Sequence, residues 1–123
     1  MNRYAPGRQV LLIGESWGGM FATRYINEFP SRVAGAVLIE PGAARRPDHG
    51  AGQGPAYTTP VLFIAGSRSE VLGESLQRQQ VYRYPSATLE VVAGAGHDVA
   101  WVKAADVVAH VRRYLDSRRA GVQ

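Results

Sequence analysis

Four short apolar segments, separated by longer segments with helical spacing, most limit what this chain can fold into. Short apolar runs are typical of strands that are buried on both faces of a parallel sheet. Parallel strands need crossover connections, and the intervening helical segments supply them. The sequence therefore predicts an α/β fold, with a parallel sheet of about four strands and flanking helices. The predicted strands are Gln9 to Ile13, Val33 to Glu40, Pro60 to Ala65 and Thr88 to Ala93.

Three segments between and after these strands have the pattern of helices that bury one face. Their apolar side chains recur three and four positions apart. We take residues 1–123 as a single domain. Residues 41–59, rich in Gly, Pro, Ala and Arg, lack such spacing and are predicted to form a short irregular segment. The predicted helices are Met20 to Phe29, which Pro30 ends, Glu74 to Tyr84, and Trp101 to Arg118.

Composition excludes several classes of protein. With 46% apolar and 20% charged residues the chain is expected to fold, and it has no apolar run of the length that a membrane span needs. The net charge of +4 comes from basic residues spread along the chain, so no nucleic-acid partner is expected. The absence of cysteine excludes disulfides, thiolate metal sites and a cysteine nucleophile. No signal peptide is recognised, and the expected location is the cytoplasm.

The first predicted strand leads into the motif Gly14-Glu15-Ser16-Trp17-Gly18, which has the form G-x-S-x-G. Between a buried strand and a helix, this motif is typical of a tight turn that presents the serine hydroxyl above the sheet. Ser16 is therefore a candidate nucleophile, and the backbone N–H of Trp17 is a candidate donor to an oxyanion. A plain glycine-rich connection or a phosphate-binding turn is the alternative interpretation.

A serine nucleophile needs a base within hydrogen-bond reach, and the chain has three histidines. His97 follows the fourth predicted strand, at the edge of the sheet where the carboxyl ends of parallel strands meet. His110 lies within the last predicted helix and His49 lies in the irregular segment. We therefore predict that His97 lies near Ser16 and that the other two histidines are surface or packing residues.

These motifs make the chain resemble the α/β-hydrolase superfamily, specifically its C-terminal half. Residues 9–42 resemble its nucleophile strand, turn, helix and next strand, and residues 58–71 resemble the strand and turn that usually carry the acid. Residues 87–101 resemble the last strand and the histidine loop. The GxSWGG form is similar to that of proline-iminopeptidase-like and esterase-like members. The resemblance implies the order serine, acid, histidine, with residues 41–59 in place of a cap.

The acid is where this sequence departs from the family pattern. The family commonly has Asp three positions after the glycine that ends the third of these strands, and counting from Gly66 this position is Ser69. Glu40, at the end of the preceding strand, and Glu70, next to Ser69, are both candidates, with a slight preference for Glu40. Asp98 adjoins the histidine but is expected to point elsewhere.

The resemblance implies a serine hydrolase that acts on a carboxylic ester, thioester or small amide through an acyl-enzyme. Its partner would be a small-molecule substrate, and no metal or organic cofactor is implied. No His-Gly-Gly loop precedes the Ser16 motif, so the sequence does not identify a second oxyanion donor.

The alternative is a truncated or split hydrolase, inactive alone or acting as an interaction module. The first strand would then offer an open edge and an uncovered apolar face, to which a second copy or a complementing N-terminal half could pair.

Overall fold

The computed structural model describes residues 8–41, 57–69 and 84–122. These residues form a four-stranded sheet in which the strands lie side by side in chain order and all pair in parallel. The predicted fold class is confirmed, and every strand boundary lies within two residues of the prediction. The strands are β1 (Val10–Glu15), β2 (Val33–Ile39), β3 (Val61–Gly66) and β4 (Ala87–Val92).

The helices differ more from the prediction than the strands do. Helix α1 begins at Trp17, three residues before the predicted start. The sequence predicts a later start because Gly18 and Gly19, which favour a turn, lie in the first turn of the helix. The last predicted helix is divided at Lys103 into a short and a long helix. Residues 42–56, in the predicted irregular segment, lie outside the described residues. So do residues 70–83, which include all of the second predicted helix except Tyr84, and Tyr84 lies in a bend. The helices are α1 (Trp17–Glu28), α2 (Val99–Val102) and α3 (Ala104–Val122), with a 3-10 turn at Pro30–Arg32.

Two apolar clusters, one on each face of the sheet, explain why the central strands β2 and β3 are apolar along nearly their whole length. Alternate side chains of β2 and β3 enter opposite clusters, so both strands are buried throughout or nearly so. Helix α1 covers one face and helix α3 covers the other. The α1 cluster includes Leu12, Ala22, Ile26, Leu38 and Phe63, and the α3 cluster includes Val37, Ile39, Ile64, Val107 and Tyr114.

Strand β1 forms an edge of the described sheet. It pairs with β2, and Leu12 is buried in the α1 cluster, whereas Leu11 and Ile13 remain 46% and 57% exposed on the opposite face. This matches the expectation of an uncovered apolar face on the first strand. Among the described helices, none combines the length and apolar character that crossing a membrane requires.

Two tyrosine hydroxyls lie at the amino end of the sheet. Tyr114 accepts a hydrogen bond from the backbone N–H of Ala36 at 2.9 Å and donates one to the carbonyl oxygen of Pro60 at 2.5 Å. Tyr57 donates to the carbonyl oxygen of Val33 at 2.7 Å. These phenols link β2 to the segments before β3, and burial raises the pKa of both above the ordinary tyrosine value.

Candidate functional site

Ser16 is the single residue between β1 and α1, and its backbone is strained. Its φ of 52° and ψ of −114° lie in a region that residues with a side chain rarely adopt, at a cost of about 1–3 kcal/mol. The Ser16 N–H donates to the carbonyl oxygen of Ile39 at 2.9 Å, and its own carbonyl accepts from the N–H of Met20 at 3.2 Å. These bonds hold the strained conformation between the end of β2 and the first turn of α1.

The tight turn depends on two glycines that flank Ser16. A Cβ on Gly14 would lie 2.5 Å from the carbonyl oxygen of Gly18, and a Cβ on Gly19 would lie 2.7 Å from the Cβ of Pro41. A Cβ on Gly18 would have no described atom within 4 Å. The steric need for glycine therefore does not fall on Gly18, two residues after the serine. The need falls on Gly19, three residues after it, because α1 packs against the end of β2.

His97 lies in the turn between β4 and α2, beside the serine, at the carboxyl end of the strands. Its Nε2 is 2.9 Å from the Oγ of Ser16, and its Nδ1 is 3.0 Å from the Oε1 of Glu40. The histidine side chain is 34% exposed, whereas the glutamate is fully buried. A hydroxyl, an imidazole and a carboxylate thus form a continuous hydrogen-bonded chain from the surface into the protein.

The histidine turn approaches β3 so closely that only glycine fits at the end of that strand. A Cβ on Gly66 would overlap the carbonyl oxygens of Ala95 and Gly96. The backbone N–H of Arg68 also donates to the carbonyl oxygen of Ala95 at 2.8 Å. This close approach sets the distance between the histidine turn and the strand ends that carry Ser16 and Glu40.

Glu40 directly follows β2 and adopts a left-handed backbone with a φ of 45°. Its own N–H donates to the carbonyl oxygen of Ile64 at 2.9 Å. The carboxylate is well supplied with donors, since Oε2 accepts from the N–H of Gly66 at 3.0 Å and Oε1 accepts from the hydroxyl of Ser69 at 2.5 Å. With the Nδ1 of His97 this makes three donors, which offset the loss of water around a buried carboxylate.

The remaining candidates lie apart from this arrangement or outside the described residues. Glu70 and His49 belong to segments that are not described. Asp98 accepts from the N–H of Gly96 at 3.2 Å within its own exposed turn. His110 lies on α3, where its Nδ1 is 2.9 Å from the Nη2 of Arg113.

Trp17 begins α1, so its backbone N–H belongs to the first helical turn, where the helix offers no carbonyl partner. Its side chain is exposed. Among the described residues no group of three or more His, Cys, Asp or Glu side chains could hold a metal ion.

Sequence reasoning missed the donors that surround the Glu40 carboxylate. The family pattern marks Ser69 only as a position that lacks the usual acid, and it gives no sign that the hydroxyl binds the Glu40 carboxylate. The signal available in the sequence was its place three residues after Gly66, at the same sheet edge as Glu40.

The N-terminal part of the chain matches a known family. Residues 3–53 match the model of the alpha/beta hydrolase fold family. Over 62 residues the chain is 39% identical to esterase YbfF of Escherichia coli (strain K12), in an alignment that covers 50% of this chain and 24% of the esterase.

Solved structures resemble nearly the whole chain. An alpha/beta hydrolase from the metagenome of sediments of the Mar Chica lagoon in Morocco superimposes with a TM-score of 0.82 at 17% identity, over 96% of this chain and 66% of that one. A predicted CIB-like hydrolase from Thermoplasma acidophilum does so with a TM-score of 0.78 at 22% identity, over 90% of this chain and 51% of that one. The chain thus spans about half the length of the Thermoplasma hydrolase and about a quarter of the esterase. Residues 3–53 therefore match the alpha/beta hydrolase fold family, and the described sheet and helices share the fold of these solved hydrolases.

Proposed function

We propose that this chain is a serine hydrolase that cleaves carboxylic esters, thioesters or small amides through an acyl-enzyme on Ser16. The observation that carries the proposal is the chain of hydrogen bonds from the Oγ of Ser16 to Nε2 of His97, and from Nδ1 of His97 to the carboxylate of Glu40. Such a chain suits acyl transfer, because the imidazole can take a proton from the hydroxyl while the carboxylate holds the ring.

In the first step the Ser16 oxygen attacks the carbonyl carbon of the substrate, and its proton moves to Nε2 of His97. The resulting tetrahedral intermediate collapses as the imidazolium returns this proton to the leaving alcohol, thiol or amine. Water then attacks the acyl-enzyme, with His97 again as the base, and the acid product leaves. Each proton taken by the imidazole is given back, so the enzyme is regenerated.

Glu40 is the proposed acid of this arrangement. Because its carboxylate accepts from Nδ1, the proton of the neutral imidazole is on Nδ1 and the lone pair of Nε2 faces the serine. The buried carboxylate also lies where it would stabilise the positive charge that the ring gains during attack. The long glutamate side chain bridges the distance from β2 to the histidine turn.

The first turn of α1 is the proposed oxyanion site, with the N–H of Trp17 as a donor. This N–H follows the nucleophile directly and lies at the positive end of the helix dipole. A donor at this place would stabilise the oxyanion of the tetrahedral intermediate by about 2.7–4 kcal/mol.

A carboxylic ester is the substrate class with the most support, because the relative that is 39% identical is named an esterase. A monoacylglycerol lipase of Paleococcus ferrophilus also shares the fold, with a TM-score of 0.72. The other two classes, thioesters and small amides, involve the same attack on a carbonyl carbon and remain part of the proposal.

We also propose that a partner pairs with strand β1, because this strand lies at an edge of the described sheet. The exposed Leu11 and Ile13 would be covered by a second copy of the chain or by a complementing N-terminal half. The matches are to hydrolases, so they favour the enzyme over an inactive interaction module. Light scattering during size-exclusion chromatography tests the second copy: a mass of about twice 13.3 kDa supports it, and a monomer contradicts it.

Hydrolysis of a short-chain p-nitrophenyl ester tests the proposed function. We expect the chain to turn over the ester, and Ser16→Ala and His97→Ala each to lower kcat/KM by about 10⁶-fold. His110→Ala is the matched control, because this histidine lies on α3 beside Arg113, and its rate should equal that of the wild type. Equal rates for the wild type and Ser16→Ala would contradict the proposal.

A further inference from the structure

We propose that Ser69 is a positioning residue, whose hydroxyl holds the Glu40 carboxylate in the orientation that accepts from His97. The inference rests on the proposed function, since it assigns a role to Ser69 through the acid of that site. The residue stands where the superfamily commonly has its acid, yet here it acts as a donor to an acid from another strand.

The turn that follows β3 holds both oxygens of the carboxylate. The N–H of Gly66 donates to Oε2 at 3.0 Å, and the hydroxyl of Ser69 donates to Oε1 at 2.5 Å. The turn itself is closed by a bond from the N–H of Ser69 to the carbonyl oxygen of Gly66 at 3.2 Å. Two donors at a fixed separation therefore bind one carboxylate in a defined plane.

The orientation of that plane decides whether the imidazole is held. Oε1 accepts from the Ser69 hydroxyl and from Nδ1 of His97 at 3.0 Å, so the serine and the histidine share one oxygen. Without the hydroxyl, the N–H of Gly66 would still bind Oε2. The carboxylate could then rotate about its Cγ–Cδ bond, because the Ser69 hydroxyl would no longer hold Oε1 in place. Hydrogen bonds to a charged group are stronger than neutral ones, so this contact is well suited to the task.

Glutamate needs such a contact more than aspartate does. Its side chain has one more rotatable bond, so more freedom must be removed before the carboxylate is held in one place. Burial alone does not fix the rotation of the carboxyl group, because the exclusion of water does not depend on the direction in which the two oxygens point. The directional selection comes from the donors of the turn after β3.

The experiment measures ester hydrolysis by Ser69→Ala, Ser69→Thr and the matched control Ser86→Ala, whose serine is exposed in the turn before β4. We expect Ser69→Ala to lower kcat about 10–100-fold with KM unchanged, because binding does not involve the carboxylate plane. Ser69→Thr keeps the hydroxyl and should stay within about threefold of the wild type. Ser86→Ala should equal the wild type. A full rate for Ser69→Ala, or a threonine variant as slow as the alanine one, would overturn the inference.

A double-mutant cycle with Glu40→Gln separates this inference from the proposed function. If Ser69 acts through the carboxylate, Ser69→Ala should have no further effect once Glu40→Gln is present. Additive losses would overturn the positioning role. If Glu40→Gln alone hydrolyses the ester at the full rate, Glu40 is not the acid, and the proposed function fails at that residue. If Glu40→Gln is slow but Ser69→Ala is as fast as the wild type, only the positioning role of Ser69 is refuted. Circular dichroism spectra of all variants should match, and the threonine variant provides the test if the alanine variant fails to fold.

Discussion

The two ends of the sheet carry polar networks of opposite character. At the carboxyl end, Ser16 and Glu40 have left-handed backbones, and a buried carboxylate reaches the surface through the partly exposed His97. At the amino end, the phenols of Tyr57 and Tyr114 bind backbone groups of β2 and of the residue before β3. The first network contains a buried carboxylate and strained backbone. The second consists of tyrosine hydroxyls bound to backbone groups, with the Arg118 guanidinium nearby on the carbonyl oxygen of Ala34.

Under the proposed function, the sheet separates the reaction, at its carboxyl end, from a contribution to stability, at its amino end. Strain and buried charge reduce stability, and they persist where the surrounding structure holds them in place. Neutral hydroxyls that satisfy backbone groups add stability and do no chemistry. Changes at the carboxyl end should therefore alter activity more than stability, and changes at the amino end should do the reverse.

Among the substitutions that compare the two ends of the sheet, Glu40→Gln is expected to have the largest effect. Glutamine has nearly the same shape but no charge, so it cannot stabilise the imidazolium. We expect kcat/KM for ester hydrolysis to fall about 10⁴-fold. Glu90→Gln is the control, because Glu90 is exposed on β4, and it should keep the wild-type rate. Equal rates for the two variants would contradict the proposed role of Glu40 in the reaction at the carboxyl end of the sheet.

A smaller loss of activity is expected for Gly66→Ala. The added Cβ would overlap the carbonyl oxygens of Ala95 and Gly96 and push the histidine turn away from β3. A displacement of His97 by about 1 Å should lower kcat about 10²-fold. Steady-state kinetics measure this effect. A wild-type kcat would mean that the close approach at Gly66 does not position the histidine.

Tyr114→Phe should show the opposite pattern. Removal of the hydroxyl leaves the buried N–H of Ala36 without this partner, and we expect the free energy of unfolding to fall by about 1–3 kcal/mol. Urea unfolding followed by circular dichroism measures the loss, and the rate of ester hydrolysis should stay at the wild-type value. A variant that keeps its stability but loses activity would contradict the proposed separation.

The smallest expected effect is a dependence of stability on high pH. Burial raises the pKa of Tyr57 and Tyr114, so the folded state binds their protons more tightly than the unfolded state does. This contribution to stability is complete below the ordinary tyrosine pKa of about 10 and is lost as the pH rises through the folded-state values. Urea unfolding at several pH values around 10 should show a shallower decline for the variant with Tyr57→Phe and Tyr114→Phe. An equally steep decline would show that these phenols do not contribute.

The strands could be predicted from the sequence because burial on both faces leaves a direct signature. Strands β2 and β3 are apolar at nearly every position, and this pattern predicted both within one residue of their bounds. The start of α1 could not be predicted in the same way. Gly18 and Gly19 are poor helix formers, and Gly19 is required by its contact with Pro41, which only the folded chain reveals.

The candidate site could be predicted in part. The shared edge of parallel strands was enough to bring Ser16 and His97 together. The choice between Glu40 and Glu70 stayed open, because it depends on which side chain reaches the imidazole across neighbouring strands. Ser69 was missed since a hydroxyl at an acid's usual position carries no sign that it donates to a carboxylate elsewhere.

The central claim is that the contact with His97, oriented by Glu40, activates Ser16. Reaction with a fluorophosphonate probe followed by mass spectrometry of the peptides tests it directly, because such probes modify activated serines. We predict that the label lies on Ser16, that Ser16→Ala is not labelled, and that Glu40→Gln is labelled at least 100-fold more slowly, while Glu90→Gln reacts at the wild-type rate. The absence of label on Ser16, or equally fast labelling of Glu40→Gln, would contradict the claim.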